Sequence, residues 1–344
     1  MRLASLAALL VALVPPSQGQ RVPTSERLPR PSSWVQTDAP YSMVTSDAIC
    51  DSGSGIYVRT VKENQFLTQA PFRFLQEDGK SVEIDPSNVS SPPTSVYSTA
   101  FNADSTGKFY VTIQIGRGVQ WYVATFDKYG YFLNKVAISE KFNPWFLLPI
   151  SNGRFIIGGV KPQLLAEDQH VSSVVGIFDS NGNKVKSLSL HDDDTEELVS
   201  KENTGKYTSY SVYNRTIQSG RAVLGSDGNI YIFRASSSPK VQVIDQDGDL
   251  LRVITLDTPT NDAWPTDFFA VGNSIAVGYL MSKQENVCLV EANFTLYDRV
   301  TGKALRNFII PMSPLFFVGV EDRSILYVKA EKKSHLQLGR VQIP

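Results

Sequence analysis

A short pattern of apolar and polar positions recurs five times along the chain. Each copy has an apolar or aromatic residue, a polar or acidic turn, a glycine and then alternating apolar residues; the copies lie at 74–79, 126–130, 178–182, 244–248 and 297–302. Glycine tolerates the positive φ of a tight hairpin, and Asp or Asn can hydrogen-bond its own turn backbone. Each copy therefore predicts one β-hairpin.

The spacing of the copies predicts a repeat architecture. Their glycines are between 51 and 66 residues apart, which is the period of a four-stranded propeller blade with loop insertions. A second turn-and-strand signal precedes each hairpin and occurs six times, at 54–58, 107–111, 153–157, 228–232, 272–277 and 322–328. We therefore predict an all-β fold, a six-bladed β-propeller of four-stranded antiparallel blades over residues 41–344. The strands of a blade are named A to D from the axis outward.

The sixth unit predicts only three strands, at 315–320, 324–330 and 336–343, before the sequence ends at Pro344. A ring left open would expose an unpaired strand edge. We therefore predict that the extended leader 20–40 supplies the outer strand of the last blade around Ser33–Gln36, with Trp34 as its apolar anchor. The alternative is a last blade of three strands with a disordered leader.

The N-terminus carries the features of a secretory signal peptide over residues 1–19. Met1-Arg2 is followed by an apolar run over Leu3–Val14 and by small residues up to Gly19, and the run is too short to span a bilayer. We therefore expect a secreted or periplasmic protein without membrane insertion, and a monomer. The 33 basic and 34 acidic residues give a net charge of −1, so no electrostatic case exists for nucleic acid as a partner.

The blade pattern resembles the NHL/YVTN-type family of six-bladed propellers. The best match is 228–256, where a glycine and an apolar strand are followed by a second apolar strand and an Asp-x-x-Gly turn. The resemblance covers about 300 residues; it implies the fold and is nearly silent on activity. The Asp-x-x-x-Asn segment usual after strand B is absent, since residues 234–238 read Arg-Ala-Ser-Ser-Ser.

The loops of a propeller of this kind are expected to differ between its two faces. The A–B and C–D turns are short, whereas the B–C and D–A loops are long and unlike one another, as at 114–120, 161–173, 191–206 and 282–286. Variable loops on a rigid scaffold are where binding sites lie. The candidate ligand-binding residues on this loop-rich face are Trp121, Trp145, Trp264, Arg117, His170, Asp262 and Asp267. Tryptophan faces can stack on a sugar or fill a partner's pocket, and ordinary packing between blades is the alternative.

Candidate metal ligands are few. The stretch 245–249 reads Asp-Gln-Asp-Gly-Asp like a calcium loop, but Leu256 stands where the twelfth-position Glu belongs. The acidic stretch 191–197 fits a solvated loop or a helix start. His170, His191 and His335 fall in predicted loops, and Asp104, Asp262 and Asp267 are the acids near predicted inner-strand ends. We expect no cofactor, with calcium or zinc as the alternative.

Two function classes follow from these observations. The first is an exported, non-catalytic propeller that binds a protein, peptide or glycan through its loop-rich face. The second is a metal-dependent hydrolase or lyase with a divalent ion near the axis. The poor supply of His, Cys and clustered inner carboxylates favours the first class.

We further expect Cys50 and Cys288 not to be bonded, because the predicted strands place them at opposite faces. N-glycosylation sequons begin at Asn88, Asn214 and Asn293, and they matter only in a host with that machinery.

Overall fold

The fold was analysed in a computed structural model. The structure describes residues 23, 25–27, 31–40, 43–51, 55–61, 66–90, 95–116, 118–161, 172–188, 222–234, 239–257, 263–281, 291–310, 315–321, 324–329 and 335–342. Within these residues the regular structure is β-sheet, apart from three short 3-10 turns at Leu67–Gln69, Pro86–Val89 and Ser151–Gly153.

The strands form six sheets that follow one another along the chain. Two strands come first, β1 (Ser25–Arg27) and β2 (Trp34–Pro40). Blade 1 contains β3 (Met43–Asp51), β4 (Gly55–Val61), β5 (Phe72–Gln76) and β6 (Ser81–Ile84). Blade 2 contains β7 (Val96–Ala103), β8 (Phe109–Ile115), β9 (Trp121–Phe126) and β10 (Phe132–Ala137). Blade 3 contains β11 (Asn143–Pro149), β12 (Phe155–Lys161), β13 (Ser172–Phe178) and β14 (Lys184–Ser187).

The second half of the chain repeats this plan. Blade 4 contains β15 (Ala222–Leu224), β16 (Ile230–Arg234), β17 (Lys240–Ile244) and β18 (Leu250–Thr255). Blade 5 contains β19 (Ala263–Val271), β20 (Ser274–Met281), β21 (Glu291–Asp298) and β22 (Ala304–Ile310). Blade 6 contains β23 (Leu315–Glu321), β24 (Ser324–Lys329), β25 (His335–Gln342) and, as its outer strand, β2. Each innermost strand contacts that of the next blade, and β23 contacts β3. The predicted six-bladed propeller is confirmed.

The leader closes the ring, as the sequence predicts. Strand β2 pairs antiparallel with β25, and Trp34 lies opposite Gly339. The Trp34 ring packs against the core between blades 5 and 6. The Thr37 hydroxyl donates to the Leu336 carbonyl at 2.7 Å, and Ala39 is fully buried. The last blade therefore has its fourth strand from the opposite end of the chain.

Blade 5 has a fifth strand that the sequence did not predict. Strand β1 runs parallel to β22 along its outer edge. The Glu26 carboxylate pairs with the Arg306 guanidinium at 2.6 Å, and Asn307 Nδ2 donates to Ser25 Oγ at 2.9 Å. The leader therefore joins the outer edges of blades 5 and 6.

The hairpin glycines have two structural roles. All five adopt a positive φ, between 72° and 88°, which suits the turn. Four of them also lie against a backbone carbonyl of the preceding blade, where a Cβ would clash; at Gly182 this is the Ala137 carbonyl. The Ser139 amide donates to the Gly182 carbonyl at 2.9 Å. The recurrent glycine therefore forms both the turn and the contact between neighbouring blades.

The aspartates of the hairpins order the turn backbone. In three turns one carboxylate oxygen accepts the amides two and four residues later, as Asp179 does from Asn181 at 2.9 Å and from Asn183 at 2.8 Å. Such bonds favour the charged form. The backbone amide of Asn183 lowers the pKa of Asp179, and that of Thr301 lowers the pKa of Asp298.

We predict that the folded protein loses stability in acid because the aspartates of these turns become protonated. The unfolded carboxyls titrate near pH ~4, and their pKa is lower in the folded protein. The stabilisation is therefore complete above the unfolded pKa and is lost as the pH falls through the folded pKa. The urea midpoint should fall between about pH 5 and pH 3, and the double variant Asp179→Asn, Asp298→Asn should show a shallower fall. An equally steep fall in the double variant would contradict this role.

Candidate functional site

The order of the strands places the short turns together on one face of the disc. In each blade A to D are antiparallel neighbours, so the A–B and C–D turns share a face and the other connections share the opposite one. Strand A of every blade begins on the loop-rich face. The start of strand A is therefore where the inner ring meets the long loops.

Five of the innermost strands carry a β-bulge or a longer register irregularity near their loop-rich ends, and we call these five places the bulge ring. Register shifts occur between Val44 and Ile49 in β3, Ser98 and Phe101 in β7, Pro144 and Phe146 in β11, Pro265 and Asp267 in β19, and Phe317 and Gly319 in β23. Each shift begins within the first three residues of its strand. Bulges re-aim side chains and are frequent at barrel rims and beside active sites. We take this bulge ring as the candidate functional site.

Trp145 is the bulged residue of β11. It stands between the paired residues Pro144 and Phe146, and it is 41% exposed although β11 is the innermost strand of blade 3. Farther along β11, Leu147 and Leu148 are buried in the cores between blades. The bulge therefore leaves a large aromatic ring partly exposed at the loop-rich end of the inner ring.

Trp121 has the opposite environment. It is 6% exposed and belongs to the core between blades 2 and 3, with Phe142 and Phe178. Packing between blades, the alternative that the sequence left open for the tryptophans, accounts for its position. Trp121 is therefore a core residue, whereas Trp145 is partly exposed.

Arg59 fixes the bulge of blade 2 from the neighbouring blade. Its guanidinium is buried, donates to the Ser98 and Thr99 carbonyls at 3.3 and 2.8 Å, and lies 4.6 Å from the centre of the Phe72 ring. Across the same bulge, the Ala100 amide donates to the hydroxyl of Thr112 at 2.9 Å. These bonds hold the two bulged residues, 99 and 100, in one backbone conformation.

Sequence reasoning missed Arg59. The signal was present, because a charged residue stands inside the apolar strand 55–61, where the corresponding residues of the other blades are uncharged: Thr112, Gly158, Phe233, Gly278 and Val328. Buried arginines require hydrogen-bond acceptors, and bulges offer unpaired carbonyls. An Arg inside a B strand therefore indicates an irregular strand beside it.

The other predicted site residues divide into two groups. Trp264 and Asp267 lie on β19, and Asp267 directly follows the bulged residue Thr266. The backbone therefore brings them to the same inner ring as Trp145. Arg117, His170 and Asp262 lie outside the described residues, and their binding roles stay predictions.

The calcium-like stretch 245–249 is engaged in other contacts. Asp245 accepts the amides of residues 247 and 249 at 2.9 and 2.8 Å. Asp247 pairs with Arg154 at 3.0 Å, and Asp249 pairs with Lys186 at 2.5 Å. The three carboxylates therefore hold the turn and join blade 4 to blade 3.

The described part of the chain contains no group of three or more His, Cys, Asp or Glu residues that could hold a metal ion. His335, predicted in a loop, is the first residue of β25, and its Nδ1 lies 3.4 Å from Gln36 Nε2. Asp104 accepts hydrogen bonds from the Thr106 and Lys108 amides of its A–B turn, and from the Tyr110 hydroxyl at 2.8 Å. Burial raises the pKa of Tyr110, and the hydrogen bond to Asp104 raises it further. His170 and His191 lie outside the described residues. Cys288 does too, so the expected absence of a disulfide between Cys50 and Cys288 stays a prediction.

Among the described residues, no helix has the length and apolar character needed to cross a membrane.

Comparison with known proteins extends to the fold alone. No family model matches the chain, and no curated protein matches it. A protein of unknown function from Dyadobacter fermentans shares 9% identity at a TM-score of 0.54, over 92% of this chain and 99% of that one. A protein of unknown function from Bacteroides caccae shares 10% identity at a TM-score of 0.46, over 78% of this chain and 87% of that one. A subtype N11 neuraminidase-like protein (flat-faced bat, H18N11) shares 9% identity at a TM-score of 0.49, over 94% of this chain and 98% of that one. The first of these likenesses shows a shared fold and nothing beyond it.

Proposed function

We propose that the protein is an exported, non-catalytic binding module that takes a peptide, a protein loop or a glycan at the bulge ring on its loop-rich face. The observation that carries the proposal is Trp145, a 41% exposed tryptophan on an innermost strand. Tryptophan combines a large apolar ring with a polar N–H group, and its flat ring is a common anchor for sugars and for partner side chains.

Side-chain hydrogen bonds hold the backbone near Trp145 in place. Asn102 Nδ2 donates to the Leu147 carbonyl at 3.0 Å, which ties β7 to β11, and Arg59 fixes the bulge of β7. A preorganised backbone around an exposed aromatic ring lowers the entropic cost of binding. Trp145 thus offers an aromatic ring on a strand that a side-chain hydrogen bond from the neighbouring blade holds in place.

The proposal predicts a large effect of Trp145→Ala on binding. The purified protein is screened against an oligosaccharide array and a random peptide library, and the strongest binder of each is titrated. Loss of a central aromatic anchor costs about 2 kcal/mol or more, so the dissociation constant should rise roughly 30-fold. Tyr131→Ala is the matched control, because Tyr131 is 70% exposed beside β10, away from the inner ring. An unchanged affinity in Trp145→Ala with a loss in Tyr131→Ala would overturn the site.

Elemental analysis of the purified protein separates the binding module from the metal-dependent alternative. A binding module of this design needs no tightly held ion, and we expect far less than one zinc or calcium per chain after exhaustive dialysis. One equivalent that survives dialysis and is lost in Asp267→Asn would favour the hydrolase or lyase instead, because Asp267 follows a bulge of the inner ring.

A further inference from the structure

The three sequons of the chain differ in what the fold does with them. Asn88-Val89-Ser90 lies on the 3-10 turn that connects blade 1 to blade 2, and Asn88 is exposed. Asn293-Phe294-Thr295 lies inside β21, which is paired on both sides, and Asn293 is 8% exposed. Asn214 lies outside the described residues. Two matches to the same sequon therefore differ in exposure: Asn88 is exposed and Asn293 is buried.

The turn that carries Asn88 is well fixed. Pro86 and Val89 are buried on either side of it, Asp85 accepts the Ser87 amide at 2.8 Å, and Lys135 Nζ donates to the Val89 carbonyl at 3.1 Å. The two flanking apolar residues anchor the turn, and Asn88 points away from them. A bulky group on this side chain would project outward without disturbing a core contact.

The sequon in β21 cannot carry such a group in the folded protein. The hydroxyl of Thr295 is fully buried and donates to Asn307 Oδ1 at 3.1 Å. Asn293 Oδ1 is buried among the described side chains, on a strand whose neighbours Tyr279 and Ile309 pair with it directly. A glycan here would have to displace the packing between blades 4 and 5.

We propose that Asn88 is an N-glycan acceptor and that Asn293 is not. The inference rests on the export that forms part of the proposed function. In the reaction, Asn88 Nδ2 attacks the anomeric carbon of a lipid-pyrophosphate-linked oligosaccharide, the donor that the secretory compartment supplies. The C–N bond forms, the bond from the anomeric carbon to phosphate oxygen breaks, the lipid pyrophosphate leaves, and the amide loses one proton to the transferase. A surface Asn-x-Ser/Thr with a residue other than Pro in the middle is the acceptor that this chemistry uses.

The glycan would extend from the connection between the outer strand of blade 1 and the inner strand of blade 2. This is one of the D–A connections, so it belongs to the loop-rich face. The contact of Lys135 with this turn places it beside the outer strand of blade 2 as well. The sugar would therefore cover the rim between these two blades, while Trp145 lies on blade 3.

The experiment expresses the full chain in cultured mammalian cells, once with its own leader and once with residues 1–19 replaced by the leader of a secreted antibody chain. Secreted protein is treated with peptide-N-glycosidase in heavy-oxygen water, and the labelled aspartates are mapped by mass spectrometry. We expect the label at position 88 and none at 293, and Asn88→Gln should remove one step of the glycosidase-sensitive mobility shift. Asn293→Gln, if it is secreted, should leave the shift unchanged.

The outcomes separate this inference from the proposed export. Label at 293, or none at 88 in secreted protein, overturns the glycosylation inference. Failure of export with the native leader alone would contradict the proposed localisation, while the replaced leader still tests Asn88. The heavy-oxygen map of the unsubstituted protein needs no variant, so a variant that fails to fold does not remove the test.

Discussion

A chain that begins at residue 41 is expected to melt roughly 5–8 °C below one that begins at residue 20, or to aggregate. It lacks β2, which exposes the edge of β25 and uncovers the core that Trp34 packs against. Losing one large apolar side chain and its strand pairing costs roughly 3–5 kcal/mol. With an unfolding entropy of about 2.1 cal/mol/K per residue, a loss of one kcal/mol lowers the melting temperature of some 300 folded residues by about 1.6 °C.

A chain that begins at residue 31 is the control. It loses β1 and its ion pair but keeps β2. The ion pair joins Glu26 to Arg306 at the surface, and surface pairs contribute little, so this chain should melt within about 3 °C of the longer one. Scanning calorimetry of the three chains makes the measurement. Equal melting of the chains that begin at 31 and 41 would refute ring closure by the leader.

Gly182→Ala is expected to destabilise the protein much more than Gly228→Ala. The two glycines have nearly the same positive φ, 81° and 78°, so both substitutions carry the strain of about 1–2 kcal/mol for a left-handed residue. A Cβ at Gly182 would also clash with the Ala137 carbonyl and the Val136 side chain, whereas at Gly228 only Gln246 Nε2 lies nearby, at 3.9 Å. Forcing atoms into packed backbone costs a further ~1–3 kcal/mol.

Urea titration of both variants measures the difference. The unfolding free energy should fall by about 1–2 kcal/mol in Gly228→Ala and by about 3 kcal/mol or more in Gly182→Ala. This comparison isolates the contact between blades from the turn conformation. Equal losses would mean that the recurrent glycine serves the turn alone.

Much of the fold could be predicted because propeller blades are local. Each hairpin phrase joins strands that are neighbours in sequence, so Gly79, Gly130 and the three later hairpin glycines could be recognised one by one. Ring closure followed from a count, since blade 6 lacked a strand and an apolar segment with Trp34 remained at the other end. Both inferences use pairing rules that do not require a register between distant segments.

The features that escaped prediction depend on distant segments. Strand β1 has three residues and no apolar alternation, and it forms through contacts of Ser25 and Glu26 with β22, some 280 residues away. The bulge ring arises from register between strands, which composition does not reveal. Trp121 and Trp145 are both followed by an aromatic and an aliphatic residue, yet Trp121 is buried in a core on a regular strand and Trp145 is partly exposed at a bulge.

Fluorine NMR of protein labelled with 5-fluorotryptophan tests most directly the claim that the bulge presents Trp145 at the inner ring. The chain has four tryptophans, and Phe substitutions at positions 121 and 145 assign the two resonances of interest. A soluble nitroxide broadens resonances of accessible rings. This placement predicts strong broadening of the Trp145 resonance and little of the Trp121 resonance, because the two residues are 41% and 6% exposed. A sharp Trp145 resonance beside a broadened Trp121 would contradict it.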